Sequence, residues 1–180
     1  MEKLSDLVPI PPKEVMNPGL SSATEATMLK ALGTPGERTK ECSEPTGKIK
    51  KRIVFGVQVA PHVKVSGFDF AVESLRQLFA EVQTKRPDVF DEVRTAGMLC
   101  VRHRRANPSK FSNHSWGTAI DLFFGKGVVP QGKKVAHRGL VVLFPFFNQR
   151  GWYWGAEFSG DSVDSMHFEL SEETILKITS

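Results

Sequence analysis

Two short stretches carry side chains that could do chemistry together. One is Ser112-Asn113-His114-Ser115-Trp116-Gly117-Thr118-Ala119-Ile120-Asp121, and the other is Asp164-Ser165-Met166-His167-Phe168-Glu169. His114, Asp121 and His167 supply two imidazoles and one carboxylate. That is the composition of a catalytic zinc site whose fourth position is open to water. A cation held by one carboxylate keeps net positive charge, lowers the pKa of bound water toward about 7 and polarises a carbonyl. A second carboxylate nearby could take the water's proton and pass it to a leaving amine. Asp164, three residues before His167, is the candidate for that role.

The elements around these residues have to bring them together. His114 falls in a loop, and Gly117 permits a tight turn into the strand expected over 117–124. On that strand Ile120 and Leu122 share one face while Ala119 and Asp121 share the other. A carboxylate between two core positions is costly to bury unless it is paired or binds a cation, and small Ala119 leaves room beside it. In a strand over 166–170, Met166 and Phe168 face the core and His167 and Glu169 face away. Plainer readings exist for each residue. His114 and His167 could be hydrogen-bonded structural histidines, as His62, His103 and His137 are expected to be. Asp164 could cap a turn, and Asp121 could pair with Arg102 or Arg104.

The rest of the chain fits a soluble α+β domain. It has 180 residues, 40% hydrophobic and 24% charged, which is enough apolar material for a core. Its longest apolar run, Gly139 to Phe147, is interrupted by Pro145 and far short of a membrane span, so no membrane insertion is expected. The opening residues MEKLSDLVPIPPKEV have no apolar stretch after their charges, so no secretory signal is expected. Action outside the cytoplasm would then require lysis or a dedicated export route. The net charge of +4 favours an anionic partner. The clusters 48–52 and 102–105 lie in no recognisable nucleic-acid motif, and no nucleic-acid partner is expected. Cys42 and Cys100 are expected to be reduced, partly buried thiols.

Residues 1–50 hold Pro9, Pro11, Pro12, Pro18, Pro35 and Pro45 and few large apolar side chains. They read as an extended arm with one short helix over 23–32, capped by Ser22 and followed by Gly33. The arm is expected to contribute packing or targeting and no catalytic group. Residues 51–180 are expected to form the domain that carries the candidate site. Strands are expected at 53–59, 98–101, 117–124 and 166–170, and helices at 69–84, 137–149 and 172–178, the second bent or ended near Pro145. Strands and helices do not alternate regularly, which favours a small, mainly antiparallel sheet flanked by helices, with the zinc site at the sheet face.

These residues carry a family resemblance. SNHSWGTAIDL resembles the S-x-H-x-x-G-x-A-x-D signature of the zinc D-alanyl-D-alanine carboxypeptidases and L-alanyl-D-glutamate endopeptidases. DSMHFE is similar to their second block, and Gly151-Trp152-Tyr153-Trp154-Gly155 to the block between. The similarity runs from about Gly97 to Glu169 and leaves 1–50 unexplained. It implies that His114, Asp121 and His167 bind zinc and that Asp164 is the catalytic carboxylate. It also implies an arginine holding the substrate carbonyl or carboxylate, for which Arg102 is the match and Arg104 the runner-up. The usual arginine block is replaced here by Met98-Leu99-Cys100-Val101-Arg102. Ser112 and Trp154 are candidates for substrate contact, although Trp154 and Trp116 also suit a core. Glu169 could orient His167 or a neighbouring loop, or lie exposed. The implied reaction is hydrolysis of peptidoglycan stem peptides. A non-catalytic zinc-bound binding module is the alternative, and the presence of Asp164 speaks for the enzyme.

Overall fold

A computed structural model describes residues 2–180. In chain order the elements are β1 (Leu7–Pro9), α1 (Glu25–Leu32), β2 (Ile53–Ala60), β3 (Val63–Phe68), α2 (Asp69–Lys85), α3 (Pro87–Glu92), β4 (Arg94–Gly97), β5 (His103–Arg104), β6 (Asn107–Phe111), β7 (Ala119–Phe123), β8 (Val135–His137), α4 (Arg138–Gln149), β9 (Trp152–Trp154), β10 (His167–Leu170) and α5 (Glu172–Thr179). The fold is α+β, as the pattern predicts. Its central sheet has the order β4-β7-β10-β9, with every neighbouring pair antiparallel.

The sheet register separates a working face from a core face. Asp121 lies opposite His167, Ala119 opposite Glu169, and Glu169 opposite Tyr153. Directly paired residues share a face, so these five point the same way. Ile120, Leu122, Trp152, Trp154, Phe168 and Leu170 point the other way and are all buried. Helices α2 and α4 cover that second face. Phe147 of α4 stacks on Phe168 at 4.1 Å and meets Trp152 edge-on at 5.7 Å, while Phe79 of α2 reaches Phe147 at 6.3 Å. The helical spacing of Val72, Leu75, Phe79 and Val82 puts all four on this buried side, where each contributes roughly 1.5–3 kcal/mol relative to exposure.

Several expected elements are shifted, each for a local reason. Helix α1 begins at Glu25 and is capped by Thr24, which accepts from Thr27 N. Ser22 is not the cap, because its hydroxyl donates to Glu169. The strand expected at 98–101 lies at 94–97 instead. Beyond Gly97 the chain leaves the sheet, and its backbone serves the loop around His114, with Cys100 N donating to His114 O at 3.0 Å. Pro145 neither ends nor replaces α4, which continues to Gln149. The proline sits on the exposed side, and burial of Leu143 and Phe147 on either side offsets the one backbone bond it removes. Helix α5 is capped by Ser171 as expected.

The N-terminal fifty residues lie against the rest of the fold. Strand β1 pairs with β8, and Met28 and Ile49 are buried in the core. Asn17 is 4% exposed, and its side chain takes both the N–H and the C=O of Trp154, at 2.7 and 3.0 Å. The expectation of reduced thiols is wrong. Cys42 and Cys100 form a disulfide across 58 residues of sequence, with Cα atoms 4.9 Å apart. Spacing along the chain could not reveal it, because the pairing depends on the arm folding back beside the loop that follows β4. Ser43 confirms that neighbourhood by bridging to Val101. Closing a loop of that length restrains the unfolded chain. Replacing both cysteines by serine should lower the unfolding free energy of the metal-free protein by about 2–4 kcal/mol. Urea denaturation reads this directly, and an unchanged midpoint would contradict the disulfide.

Candidate metal centre

His114 lies on a single 3-10 turn, Asn113–Trp116, that ends at Gly117 in the left-handed region with φ 65°. A side chain at Gly117 would place its Cβ 2.6 Å from Gly67 Cα and 2.7 Å from Phe68 N. The turn is therefore pressed flat against the end of β3, where Phe68 N donates to Gly117 O at 2.9 Å. His114 Nδ1 is 2.7 Å from the carbonyl of Met98. A carbonyl can only accept, so Nδ1 carries the proton and Nε2 presents its lone pair to the centre.

His167 opens β10 and uses its nitrogens the other way round. Nε2 lies 2.7 Å from Glu169 Oε2, and Nδ1 faces Asp121. Asp121 Oδ1 is 3.3 Å from His114 Nε2 and 3.3 Å from His167 Nδ1. This oxygen is buried and accepts no aligned hydrogen bond. Tetrahedral bonds of roughly 2.0–2.1 Å put neighbouring ligand atoms about 3.3 Å apart. The three ligand atoms lie within 4.8 Å of one another, so the donor set and its spacing fit a metal ion. The unsatisfied buried oxygen gives an independent reason for one to bind.

The charges agree with that geometry. Burial opposes ionisation of Asp121, but the two imidazoles outweigh it and hold the carboxyl well below its usual range. Burial also disfavours charge on His167, yet Asp121 and Glu169 on either side push it up to about 10. Without metal, His167 holds a proton that a cation must displace from Nδ1.

Asp164 stands beside the ligands. Its N–H donates to Gly155 O at 3.0 Å. Gly155 has no room for a side chain, since a Cβ would lie 2.8 Å from Asp164 O and 3.2 Å from His167 Cβ. Asp164 Oδ1 is buried with no partner. Burial raises its pKa to about 6; Asp121 adds to the rise and the two histidines oppose it.

Glu169 is not exposed. It is 2% accessible and accepts from Ser22 Oγ, Ala23 N, Asn113 Nδ2 and His167 Nε2. Burial would raise its pKa, but His167 and the hydroxyl and amide donors more than offset this and hold it below the ordinary value. Arg102 is half-buried and donates to His103 O at 3.0 Å. Burial and Arg105 push it below the usual arginine value, against the charges of Asp121 and Glu41. Arg104 instead donates to Phe111 O in the β5–β6 hairpin.

Trp154, a candidate for substrate contact, is fully buried on the helix-covered face. It stacks on Phe168 and Phe144, and its indole N–H donates to Ser165 O. The strand period that puts His167 on the working face puts Phe168 and its partner Trp154 on the other. Trp116 is likewise core, bonded to Gly33 O. Ser112 is nearly buried, and its backbone N–H donates to Arg102 O. Nothing local marks Met98 O or Ser22 as partners of the site, because both contacts depend on distant segments. Asn113 was in view within the motif, but nothing marked it as a partner of Glu169.

The three ligand roles are separable from those of the other histidines. His114→Ala and His167→Ala should each lose most bound divalent metal by elemental analysis. His62→Ala, His103→Ala and His137→Ala should retain it. Full occupancy in both ligand variants would sink the assignment.

No curated protein matches the chain. Residues 105–170 match the family described as D-alanyl-D-alanine carboxypeptidase, and this segment contains His114, Asp121, Asp164, His167 and Glu169. The resemblance carried by SNHSWGTAIDL and DSMHFE is thus borne out over this segment, which is similar to the D-alanyl-D-alanine carboxypeptidase family.

Proposed function

We propose that this chain is a zinc peptidase that hydrolyses peptide bonds in peptidoglycan stem peptides, as a carboxypeptidase or an endopeptidase. The observation that carries the reading is the convergence of His114 Nε2, His167 Nδ1 and the unpartnered Asp121 Oδ1, with a second carboxylate, Asp164, whose Oδ1 is buried without a partner. The family match supports a metallopeptidase acting on peptidoglycan in general terms. Zinc, when bound by His114, Asp121 and His167, would acidify a water and polarise the scissile carbonyl.

The chain's own groups supply the rest. Asp164 takes the proton of the attacking water and hands it to the leaving amine. A carboxyl raised to about 6 by burial suits both halves of that transfer, because it holds a proton more readily than an exposed aspartate yet is ionised at neutral pH. Arg102 holds a carbonyl or carboxylate of the substrate. Stem peptides carry free carboxylates, which suits an arginine and a net positive centre. Among the described residues no helix is long and apolar enough to cross a membrane.

Asp164→Asn should keep zinc and fold but lose roughly 10²–10⁴-fold in peptide cleavage. The wild-type rate should fall as pH drops through about 6, because protonation removes the base, and a bound cation would move that limb lower. Zinc content and cleavage of synthetic stem peptides, followed by mass spectrometry, should be measured on one preparation. Retained zinc with near-normal cleavage would remove Asp164 from the mechanism. Lost zinc would make it a ligand.

A further inference from the structure

The matched family segment begins at residue 105, yet two residues far upstream reach the metal centre. Ser22 Oγ donates to Glu169 Oε1 at 2.7 Å, and Ala23 N donates to the same oxygen at 3.0 Å, across 147 and 146 residues of sequence. The other carboxylate oxygen, Oε2, takes Asn113 Nδ2 at 2.9 Å and His167 Nε2 at 2.7 Å. Asn113 Nδ2 also reaches back to Ala23 O at 3.1 Å. The peptide at 22–23 is thus one side chain away from ligand His167, and through Asn113 it adjoins ligand His114.

The segment around this peptide is fixed. Ser21 O accepts from Glu172 N, and Ser21 N donates to Glu173. Thr24 N donates to Glu172, and Thr27 Oγ1 bonds the same carboxylate. This segment therefore has little freedom to slide along the start of α5. Glu169, facing Ala119 across the sheet, has space for its carboxylate but depends on donors from outside the sheet for three of its four bonds.

We propose that Ser22 and Ala23 are positioning residues of the metal centre. They fix the Glu169 carboxylate, which in turn holds the His167 ring with Nε2–H outward and Nδ1 toward the metal. The inference rests on the metal reading of His114, Asp121 and His167. It assigns the N-terminal arm a role in metal affinity in addition to packing. Partners that orient a metal-bound histidine typically change affinity by 10–100-fold when removed. Ser22 is one bond further out and one of two donors to its oxygen, so the lower end applies.

The test is zinc affinity, by competition with a chromophoric chelator at fixed pH, and the visible spectrum of the cobalt-substituted protein. Ser22→Ala should weaken zinc binding about tenfold and alter the cobalt ligand-field bands, and Ser22→Thr, which keeps the hydroxyl, should restore both. In a Glu169→Gln background, Ser22→Ala should add little, because the two act in series. Should Ser22→Ala fail to fold, Ser22→Cys, of nearly the same shape but a weak donor, takes its place in the same measurements. Wild-type affinity and spectrum in a folded Ser22→Ala, or full additivity with Glu169→Gln, would overturn the proposal and leave the metal centre standing. A wild-type protein that binds neither metal would overturn both.

Discussion

The Asp121 carboxylate sits largely buried between two imidazoles, 3.3 Å from each, and the local fold is organised around satisfying it. A buried charge is tolerated only when paired or bound to a cation. Each imidazole that faces Asp121 is anchored on its far side, His114 by Met98 O and His167 by Glu169. Those anchors fix which nitrogen carries a proton, and therefore which one is free for a metal. The antiparallel register that sets Asp121 opposite His167 is the geometric condition for all of it. A slip of one residue would send His167 to the helix-covered face and Phe168 to the working face.

The scaffold holds that register from both sides. The aromatic layer of Phe147, Phe168, Trp152 and Trp154 locks the core face under α4. The Gly67–Gly117 contact locks the 3-10 turn against β3. Two glycines are required for opposite reasons: Gly117 for its left-handed backbone and close approach, Gly155 for the space that Asp164 and His167 occupy. The arm adds a third support, through Asn17 on the backbone of Trp154 and through the Cys42–Cys100 link to the loop that leads to Arg102.

The cluster of His114, Asp121 and His167 is legible because local period and residue type mark its members. Asp121 stands out as a carboxylate at strand parity between Ile120 and Leu122, and His167 by its offset from Asp164. Helix α2 and its buried face follow from the spacing of four apolar residues. What sequence did not show depends on chain segments meeting across long separations. The role of Glu169 was left open because its donors at 22 and 23 are nearly 150 residues away. The disulfide, the displaced strand β4 and the Thr24 cap share that cause, since each is set by what the arm or the loop after β4 touches. Trp154 misled because an aromatic residue inside a motif block looks the same whether it faces a cleft or a core. Only its pairing with Phe168 decides which.

We propose that this chain holds one metal ion through two histidines and one aspartate, with a position left for water. X-ray absorption at the zinc edge, on protein loaded with one equivalent, tests it most directly. The account predicts a four-coordinate ion with two imidazole nitrogens and oxygen donors at roughly 2.0–2.2 Å, and loss of one imidazole shell in His114→Ala loaded at high zinc. A six-coordinate, all-oxygen environment, or an unchanged imidazole count in that variant, would contradict it.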